Sequence, residues 1–239
     1  MCNFKNEDIK FHFMKIVVLT GAGISAESGL KTFRDSNGLW EGHDVMQVAS
    51  PEGFAQNPAL VLEFYNQRRS QLLEVSPNAA HKAIAHLEKD HEVVVVTQNV
   101  DDLHERAGSS QVIHLHGELL KVRSTYNEHD ILEWKKDLRL GDCCKDGYQL
   151  RPHIVWFGEA VPKMEEAIMH VQEGDAVLIV GTSLQVYPAA GLMQYATSST
   201  PIAFVDPKPS IGSTGKIEVF AQNATTGVPK AITHLLENV

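Results

Sequence analysis

The feature that most constrains the fold is an apolar run, KIVVLT at Lys15–Thr20, which leads directly into the turn Gly21-Ala22-Gly23. Such a run is typical of a strand that is buried on both faces of a parallel sheet. Glycine adopts backbone angles that other residues avoid, and it leaves no Cβ in the way of a ligand. The pattern therefore predicts a strand whose end can approach a pyrophosphate, although a plain strand-to-helix turn can have the same sequence.

The rest of the chain continues this alternation of strands and helices. Runs rich in Val and Ile predict strands, and apolar residues at three- and four-residue spacing predict the helices between them. The predicted strands are 15–20, 92–97, 111–115, 154–157, 176–181, 202–206 and 216–220, and the predicted helices are 58–74, 77–89, 163–172, 188–197 and 229–237. The fold class that follows is α/β, a Rossmann-like parallel sheet with helices on both faces, plus a small inserted module.

Residues 118–151 interrupt this rhythm, because they are charged, rich in turn residues and poor in clear strands. We therefore divide the chain into two domains. Residues 1–29, 76–117 and 152–239 form the Rossmann-like domain, and residues 30–75 and 118–151 form the small domain.

Composition excludes several classes of protein. The formal net charge is −9 and no cluster of Lys and Arg offsets it, so we expect no nucleic acid partner. No apolar run reaches the roughly 18 residues that a membrane span needs, so we expect no membrane contact. The three cysteines, Cys2, Cys143 and Cys144, make no disulfide framework. This composition predicts a cytoplasmic protein.

Polar residues follow three of the predicted strands. The loop of residues 21–40 is polar and lacks the acidic residue that a dehydrogenase carries about twenty residues after the glycines, so it predicts a cover over a ligand. Gln98, Asn99 and Asp101 follow the second strand, and their amides and carboxylate could hold a carboxamide and sugar hydroxyls. The alternative is that Asn99 and Asp101 merely cap a helix. Small and hydroxyl residues, Gly181-Thr182-Ser183, follow another strand.

A pair of histidines, His114 and His116, lies at the end of the strand QVIHL. Strand alternation predicts that both side chains point to the same face. With a pKa of about 6.5, a histidine suits the removal of a proton from an alcohol, although a histidine at a strand end can also be purely structural. Downstream, the predicted strand in HIVWFGEAVP could pair with an extended peptide.

Five motifs in one order carry a family resemblance: GAGISAESGLKTFR, TQNVDDLHERAG, LHG, VWFGE and GTSLQVYPAA. They cover nearly the whole chain, which resembles the bacterial sirtuins, NAD-dependent protein lysine deacylases. The resemblance implies a Rossmann-like domain with a small, usually zinc-bearing module, and NAD in the cleft between them. It also implies a monomer that acts on acylated lysine side chains of proteins.

The resemblance assigns roles to residues by position. It implies catalytic roles for His116 and Asn99. It implies NAD contacts for Gly21, Ala22, Gly23, Phe33, Arg34, Trp40, Gln98, Asn99, Val100, Asp101, Gly181, Thr182, Ser183, Asp206 and Ala224, with Asp206 standing where the family usually has Asn. It implies substrate contacts for Tyr65, Arg68, Val155, Trp156, Phe157 and Gly158.

The implied reaction consumes NAD. The acyl-lysine carbonyl oxygen attacks the ribose as nicotinamide leaves, and His116 then acts as general base on a ribose hydroxyl. The products are free lysine, nicotinamide and 2'-O-acyl-ADP-ribose.

The preferred acyl group is a separate question. Tyr65 and Arg68 fall three apart on a predicted helix and hence on one face. They resemble the pair with which class III sirtuins bind the carboxylate of succinyl- or malonyl-lysine, whereas the pattern alone also fits a half-buried tyrosine beside a solvated arginine. Plain deacetylation, ADP-ribosyl transfer and a non-catalytic module for NAD or ADP-ribose remain alternatives.

The chain departs from the family at the zinc cysteines. Sirtuins usually carry two Cys-x-x-Cys pairs, but Ser124 and Asn127 replace the first pair, and Cys143 and Asp146 stand at the second. We expect no zinc, and a small module held by packing through Ile131, Leu132, Trp134, Leu138 and Leu140. The alternative is an irregular metal site around Cys143, Cys144, Asp146 and His129.

Overall fold

The computed structural model describes residues 13–31, 39–40 and 42–238. Phe33 and Arg34, two of the predicted NAD contacts, and Cys2 lie outside the described residues.

The described residues contain eleven strands and seven α-helices. The strands are β1 Lys15–Thr20, β2 Leu39–Trp40, β3 His43–Asp44, β4 Glu92–Thr97, β5 Val112–His114, β6 Gly117–Ser124, β7 Ile131–Glu133, β8 Leu150–Ile154, β9 Ala176–Val180, β10 Ile202–Val205 and β11 Ile217–Phe220. The helices are α1 Val45–Val48, α2 Pro51–Gln56, α3 Pro58–Glu74, α4 Ala79–Leu87, α5 Leu103–Ala107, α6 Met164–Glu173 and α7 Ala224–Glu237, with short 3-10 helices at Ala22–Ile24, Ala26–Ser28 and Ala189–Tyr195.

Six strands form the main sheet in the order β11-β10-β9-β1-β4-β5, and every pairing in it is parallel. The side chains of β1 alternate between two cores. Ile16 and Val18 pack with residues of α4 and α7, whereas Val17 and Leu19 pack with residues of α6 on the other face. The predicted α/β fold with helices on both faces of a parallel sheet is therefore confirmed.

A second, antiparallel sheet has the strand order β7-β6-β8. Its strands β6 and β8 share a core with α1 and α3, which includes Val48, Phe64, Leu120 and Ile154. Residues 118–151, which are poor in clear strands by sequence, contain β7, most of β6 and the start of β8. Charged residues in β6 hid the pattern, because Lys121 pairs with a glutamate on the neighbouring strand β7 instead of marking a loop.

Three predicted elements also differ from the structure by more than two residues at one end or in helix type. The strand predicted at 154–157 is β8, Leu150–Ile154, and residues 155–157 continue it without strand pairing. The helix predicted from Pro229 begins earlier, at Ala224, and contains Pro229. The helix predicted at 188–197 is the 3-10 helix Ala189–Tyr195. In contrast, the helix predicted at 58–74 is α3 to the residue.

Two glycine turns meet where β1 and β9 lie side by side. The strand that follows β1 in the sheet, β4, lies on one side of this pair, and the strand that follows β9, β10, lies on the other side. A crevice therefore opens at the carboxyl ends of the strands. Gly23 N donates to Gly181 O at 2.8 Å. A Cβ built on Gly181, whose φ is +62°, would lie 2.4 Å from Ile24 N. Only glycine fits between these two turns.

No helix in the described part of the chain is long and apolar enough to cross a membrane.

We expect Gly181→Ala to destabilise the protein by about 1–3 kcal/mol, because the added methyl group would have to displace the backbone of the first glycine turn. Gly212→Ala is the matched control, since a Cβ there meets nothing within 4 Å and its φ is not positive. Chemical denaturation of both variants measures the difference. Equal free energies of unfolding would contradict the proposed packing of the two turns.

Candidate active site

A cavity of about 320 Å³ lies at the carboxyl ends of β1, β4 and β9, and Leu119 of β6 and Ile154 of β8 also line it. Most of the predicted site residues line it. They are Gly21, Ala22, Gly23, Trp40, Tyr65, Arg68, Gln98, Asn99, Val100, Asp101, His116, Val155, Trp156, Phe157, Gly158, Gly181, Thr182 and Ser183. Residues from distant parts of the chain thus share one cavity.

Of the predicted NAD contacts that the structure describes, two do not line this cavity. Asp206 follows β10 and is buried, and its Oδ1 accepts a hydrogen bond from Lys208 N at 2.8 Å. Ala224 is the first residue of α7 and is also buried. Their contacts with the adenosine end of NAD stay predictions.

A hydroxyl that the sequence did not single out, that of Ser25, organises the polar end of the cavity. Ser25 Oγ donates to Asp101 Oδ2 at 3.0 Å and lies 3.3 Å from Asn99 Nδ2, which donates to it. Asp101 Oδ1 also accepts from the N–H of Leu103, the first residue of α5, at 3.2 Å, although the N-cap residue of this helix is Asp102. The cluster offers an amide and a carboxylate on one side of the cavity.

Burial raises the pKa of Asp101 to about 6, and the hydrogen bonds from Leu103 and Ser25 oppose this shift. At neutral pH the carboxylate is therefore mostly ionised, but it gains a proton more readily than an exposed aspartate does.

Two buried histidines lie behind this cluster. His81 Nε2 is 3.5 Å from Ser25 Oγ, and His104 Nε2 is 3.1 Å from Thr20 Oγ1. Burial lowers the pKa of His81 to about 4 and that of His104 well below its usual value. Both rings are therefore neutral and serve as hydrogen-bonding groups. They come from α4 and α5, and no local motif in the sequence indicated that they meet.

His116 has the geometry of a general base. Its Nδ1 lies 3.1 Å from Gln98 O, which can only accept, so Nδ1 carries the hydrogen and Nε2 keeps its lone pair. Burial lowers the pKa of His116, although the hydrogen bond to Gln98 opposes this. The ring is therefore neutral at pH 7 and able to accept a proton.

The neighbouring His114 is placed differently and does not line the cavity. Its Nδ1 is 3.0 Å from Asn99 O, and its Nε2 is 2.7 Å from Glu105 Oε1. Burial alone would lower the pKa of His114, but the hydrogen bond and the charge of Glu105 raise it. Both ring nitrogens have partners, so His114 is a structural residue.

At the other end of the cavity, Tyr65 and Arg68 lie one turn apart on α3, as predicted. Tyr65 is fully buried, and its Oη accepts a hydrogen bond from Trp156 Nε1 at 3.0 Å. The Arg68 guanidinium lies 4.7 Å from the centre of the Phe64 ring, and Arg68 is only partly exposed. The interpretation of a solvated arginine is therefore wrong for this side chain.

Residues 155–158 border the cavity, but three of their N–H groups are already used inside the protein, and that of Trp156 donates to Glu159 Oε2. Val155 N donates to His116 O at 2.9 Å, and Phe157 N donates to Ala49 O at 2.9 Å. Pairing with an extended peptide, as the sequence predicts, would rely on the remaining backbone groups of this segment.

With this geometry established, comparison with known proteins identifies the family. The model of the Sir2 family matches residues 21–188. The chain belongs to the Sir2 family. The predicted resemblance to bacterial sirtuins is thereby confirmed.

Individual relatives of the Sir2 family support this. A Helicobacter pylori relative called NAD-dependent protein deacylase is 63% identical over 193 residues, which are 81% of this chain and 84% of the relative. A Bacteroides thetaiotaomicron relative of the same name is 55% identical over 220 residues, 89% of this chain and 94% of the relative. A solved complex of a Sir2 homologue with NAD has a TM-score of 0.83 and 36% identity, and covers 93% of this chain and 90% of that chain.

The Sir2 resemblance implies zinc in the small module, but the residues present do not fit it. Ser124 stands where sirtuins usually have the first cysteine pair, and Cys144 lies next to it, with its Sγ 3.6 Å from Ser124 Oγ. Cys143, in contrast, is exposed. Structural zinc takes four sulfur or imidazole ligands, and a thiol beside a hydroxyl supplies one. Among the described residues, no group of three or more His, Cys, Asp or Glu could hold a metal ion. The absence of zinc stays a prediction.

Other contacts hold the module together. Ser124 Oγ accepts hydrogen bonds from Tyr126 N and Asn127 N, and the rings of Tyr126 and Tyr148 stack with centroids 4.3 Å apart. Leu138 is buried in a core with Trp134 at its edge, as predicted. Three other residues predicted to pack there, Ile131, Leu132 and Leu140, are instead exposed.

We expect the purified protein to contain far less than one zinc per chain, because the module offers no complete set of metal ligands. Dialysis against a strong chelator should leave the melting temperature unchanged. Cys144→Ser should cost about 1 kcal/mol of stability, since it replaces one small packed group by another. Elemental analysis that finds one tightly held zinc per chain would refute this.

Proposed function

We propose that this protein is an NAD-dependent protein lysine deacylase that prefers the acidic acyl groups succinyl and malonyl and removes acetyl groups more weakly. The observation that carries the proposal is the composition of one cavity. An amide, a carboxylate and a neutral histidine line one end, and a phenol and a guanidinium line the other. The names of the relatives support the deacylase activity and its dependence on NAD.

The glycine turns after β1 and β9 suit the pyrophosphate of NAD. Gly21 and Gly23 line the cavity at the crevice, where dinucleotides bind in sheets of this topology. Asn99 and Asp101 offer a donor and an acceptor to the carboxamide of nicotinamide. When bound, NAD supplies a ribose whose bond to nicotinamide breaks during the reaction.

His116 removes a proton from a ribose hydroxyl in this proposal. Its Nδ1–H is fixed on Gln98 O, which holds the ring in one tautomer and leaves Nε2 as the proton acceptor. The side chain of Gln98 donates to Thr182 Oγ1 at 3.2 Å, which ties the strand ends of β4 and β9 together around the histidine.

Arg68 and Tyr65 would bind the carboxylate of the acyl group. A guanidinium and a phenol donor together match a terminal carboxylate, and the partly buried site strengthens the ion pair. Burial raises the pKa of Tyr65, so its hydroxyl remains a donor at neutral pH. An acetyl group has no charge to meet this cation, so plain deacetylation is the alternative that the pair disfavours.

We also propose the division into a Rossmann-like domain and a small domain of residues 30–75 and 118–151, and a cytoplasmic monomer that binds no nucleic acid. A dehydrogenase is disfavoured because the acidic residue expected for the ribose is missing from the sequence. A module that binds NAD or ADP-ribose without turnover would have no use for the neutral His116 at the cavity.

We expect Arg68→Met to lower kcat/KM for succinyl-lysine peptides about 10- to 100-fold, since it removes a charged hydrogen-bond donor from a partly buried site. The loss for the acetylated peptide of the same sequence should be much smaller. Arg139→Met is the matched control, because the Arg139 side chain is 78% exposed and lies outside the cavity. Mass spectrometry of both peptides with NAD measures the activities, and equal losses would sink the assignment of Arg68.

We expect His116→Ala to lower deacylation about 100- to 10,000-fold, because it removes the general base. The exchange of labelled nicotinamide into NAD should persist, since nicotinamide leaves before the base acts. His129→Ala, at an exposed histidine outside the cavity, is the control. Loss of both reactions in a folded His116 variant would assign the residue to binding instead of proton transfer.

A further inference from the structure

The end of the cavity that Tyr65 and Arg68 line is called the acyl end here. A buried hydrogen bond connects it to the segment of residues 155–158. Trp156 Nε1 donates to Tyr65 Oη at 3.0 Å. Both side chains are almost fully buried, with exposures of 2% and 0%. In the described part of the chain, this is the hydrogen bond that the structure gives Tyr65 Oη.

This bond restricts what the phenol can do. A phenol oxygen accepts hydrogen bonds and carries one hydrogen to donate. Because the indole N–H can only donate, Tyr65 accepts from Trp156, and its own hydrogen must be directed to another acceptor. The cavity that Tyr65 lines is where a substrate oxygen would lie.

The indole of Trp156 is held firmly. The Arg151 guanidinium lies 3.3 Å from the centre of its ring, and the Phe54 ring packs 5.3 Å away. Trp156 N donates to Glu159 Oε2 at 2.8 Å, which fixes the backbone of the same residue. Glu159 in turn accepts from Arg151 Nη1 at 2.6 Å and Arg123 Nη2 at 3.2 Å. Such an indole cannot turn away from Tyr65 without breaking several contacts.

We propose that Trp156 is a positioning residue that sets acyl specificity: its indole N–H orients the Tyr65 hydroxyl so that the phenol donates to the carboxylate of an acidic acyl group. This rests on the proposed function, because the carboxylate is the acceptor that the oriented phenol needs. An acetyl group provides no such acceptor at that end of the cavity, so the hydrogen bond from Trp156 matters less for deacetylation.

Phenylalanine at this position would test the idea sharply. It keeps an aromatic ring for Arg151 and Phe54 to pack against, and it removes the N–H. The phenol of Tyr65 would then lose its fixed donor, and its hydrogen would no longer be restricted to one direction.

The experiment measures kcat and KM for succinylated and acetylated peptides of one sequence, with saturating NAD. The variants are Trp156→Phe, Tyr65→Phe and the double variant. We expect Trp156→Phe to lower the ratio of kcat/KM for succinyl over acetyl about tenfold, mainly through the succinyl KM. In the Tyr65→Phe background the same change should move this ratio less than about twofold, because the acceptor is already gone.

Trp134→Phe is the matched control. Trp134 Nε1 donates to Asp137 O at 3.2 Å within the small module, away from the cavity. Trp134→Phe removes the same indole N–H, and the ratio of kcat/KM for succinyl over acetyl should stay as it is in the unaltered protein.

The outcomes separate this inference from the proposed function. Equal losses for both peptides in Trp156→Phe, or an unchanged effect of Trp156→Phe in the Tyr65→Phe background, would overturn the role of Trp156 alone. An unaltered protein that removes acetyl but not succinyl groups would overturn the proposed acyl preference and this inference with it.

Discussion

The close contact between the glycine turns after β1 and β9 is the constraint on which the rest of the site depends. Gly23 N donates to Gly181 O, and no Cβ fits between the turns. Because the two strand ends are in direct contact, the loop after β4 falls beside them and brings Gln98 within reach of Thr182. The crevice for a dinucleotide is thus a consequence of backbone packing in the parallel sheet.

The polar end of the cavity is organised by burial. A low dielectric strengthens hydrogen bonds and penalises charge, so the buried histidines have lowered pKa values and remain neutral, whereas the pKa of Asp101 is raised. A neutral His81 can hydrogen-bond Ser25 without competing for its carboxylate partner. The polar end of the cavity therefore places the carboxylate of Asp101 beside neutral groups, and the guanidinium of Arg68 lines the other end.

The sequence predicted the main sheet well because four of its strands, β1, β4, β9 and β10, are buried on both faces, so an apolar run marks each of them without any knowledge of partners. It predicted β6 poorly because that strand carries charges whose partners lie elsewhere in the chain. Distant partners also explain which site residues the sequence indicated and which it missed. The spacing of Tyr65 and Arg68 placed them on one helix face, and the family resemblance gave them a role. Ser25, His81 and Glu159 instead act through contacts with distant segments. Cys144, and not the Cys143 that the sequence indicated, lies opposite Ser124, and this likewise depends on how the loop before β8 folds.

Strand β6 belongs to the small module and also contacts Glu159 at the cavity through Arg123. In β6, Ser124 pairs with Leu150 and Arg123 with Arg151 on β8, so the contacts that close the module also set the register of these two arginines. Both arginines bind Glu159, and Glu159 accepts from the backbone of Trp156. The contact of Cys144 with Ser124 and the Tyr126–Tyr148 stack close the module at the same end of β6. Through Glu159, the packing of the small module is thus connected to the backbone of Trp156 at the cavity.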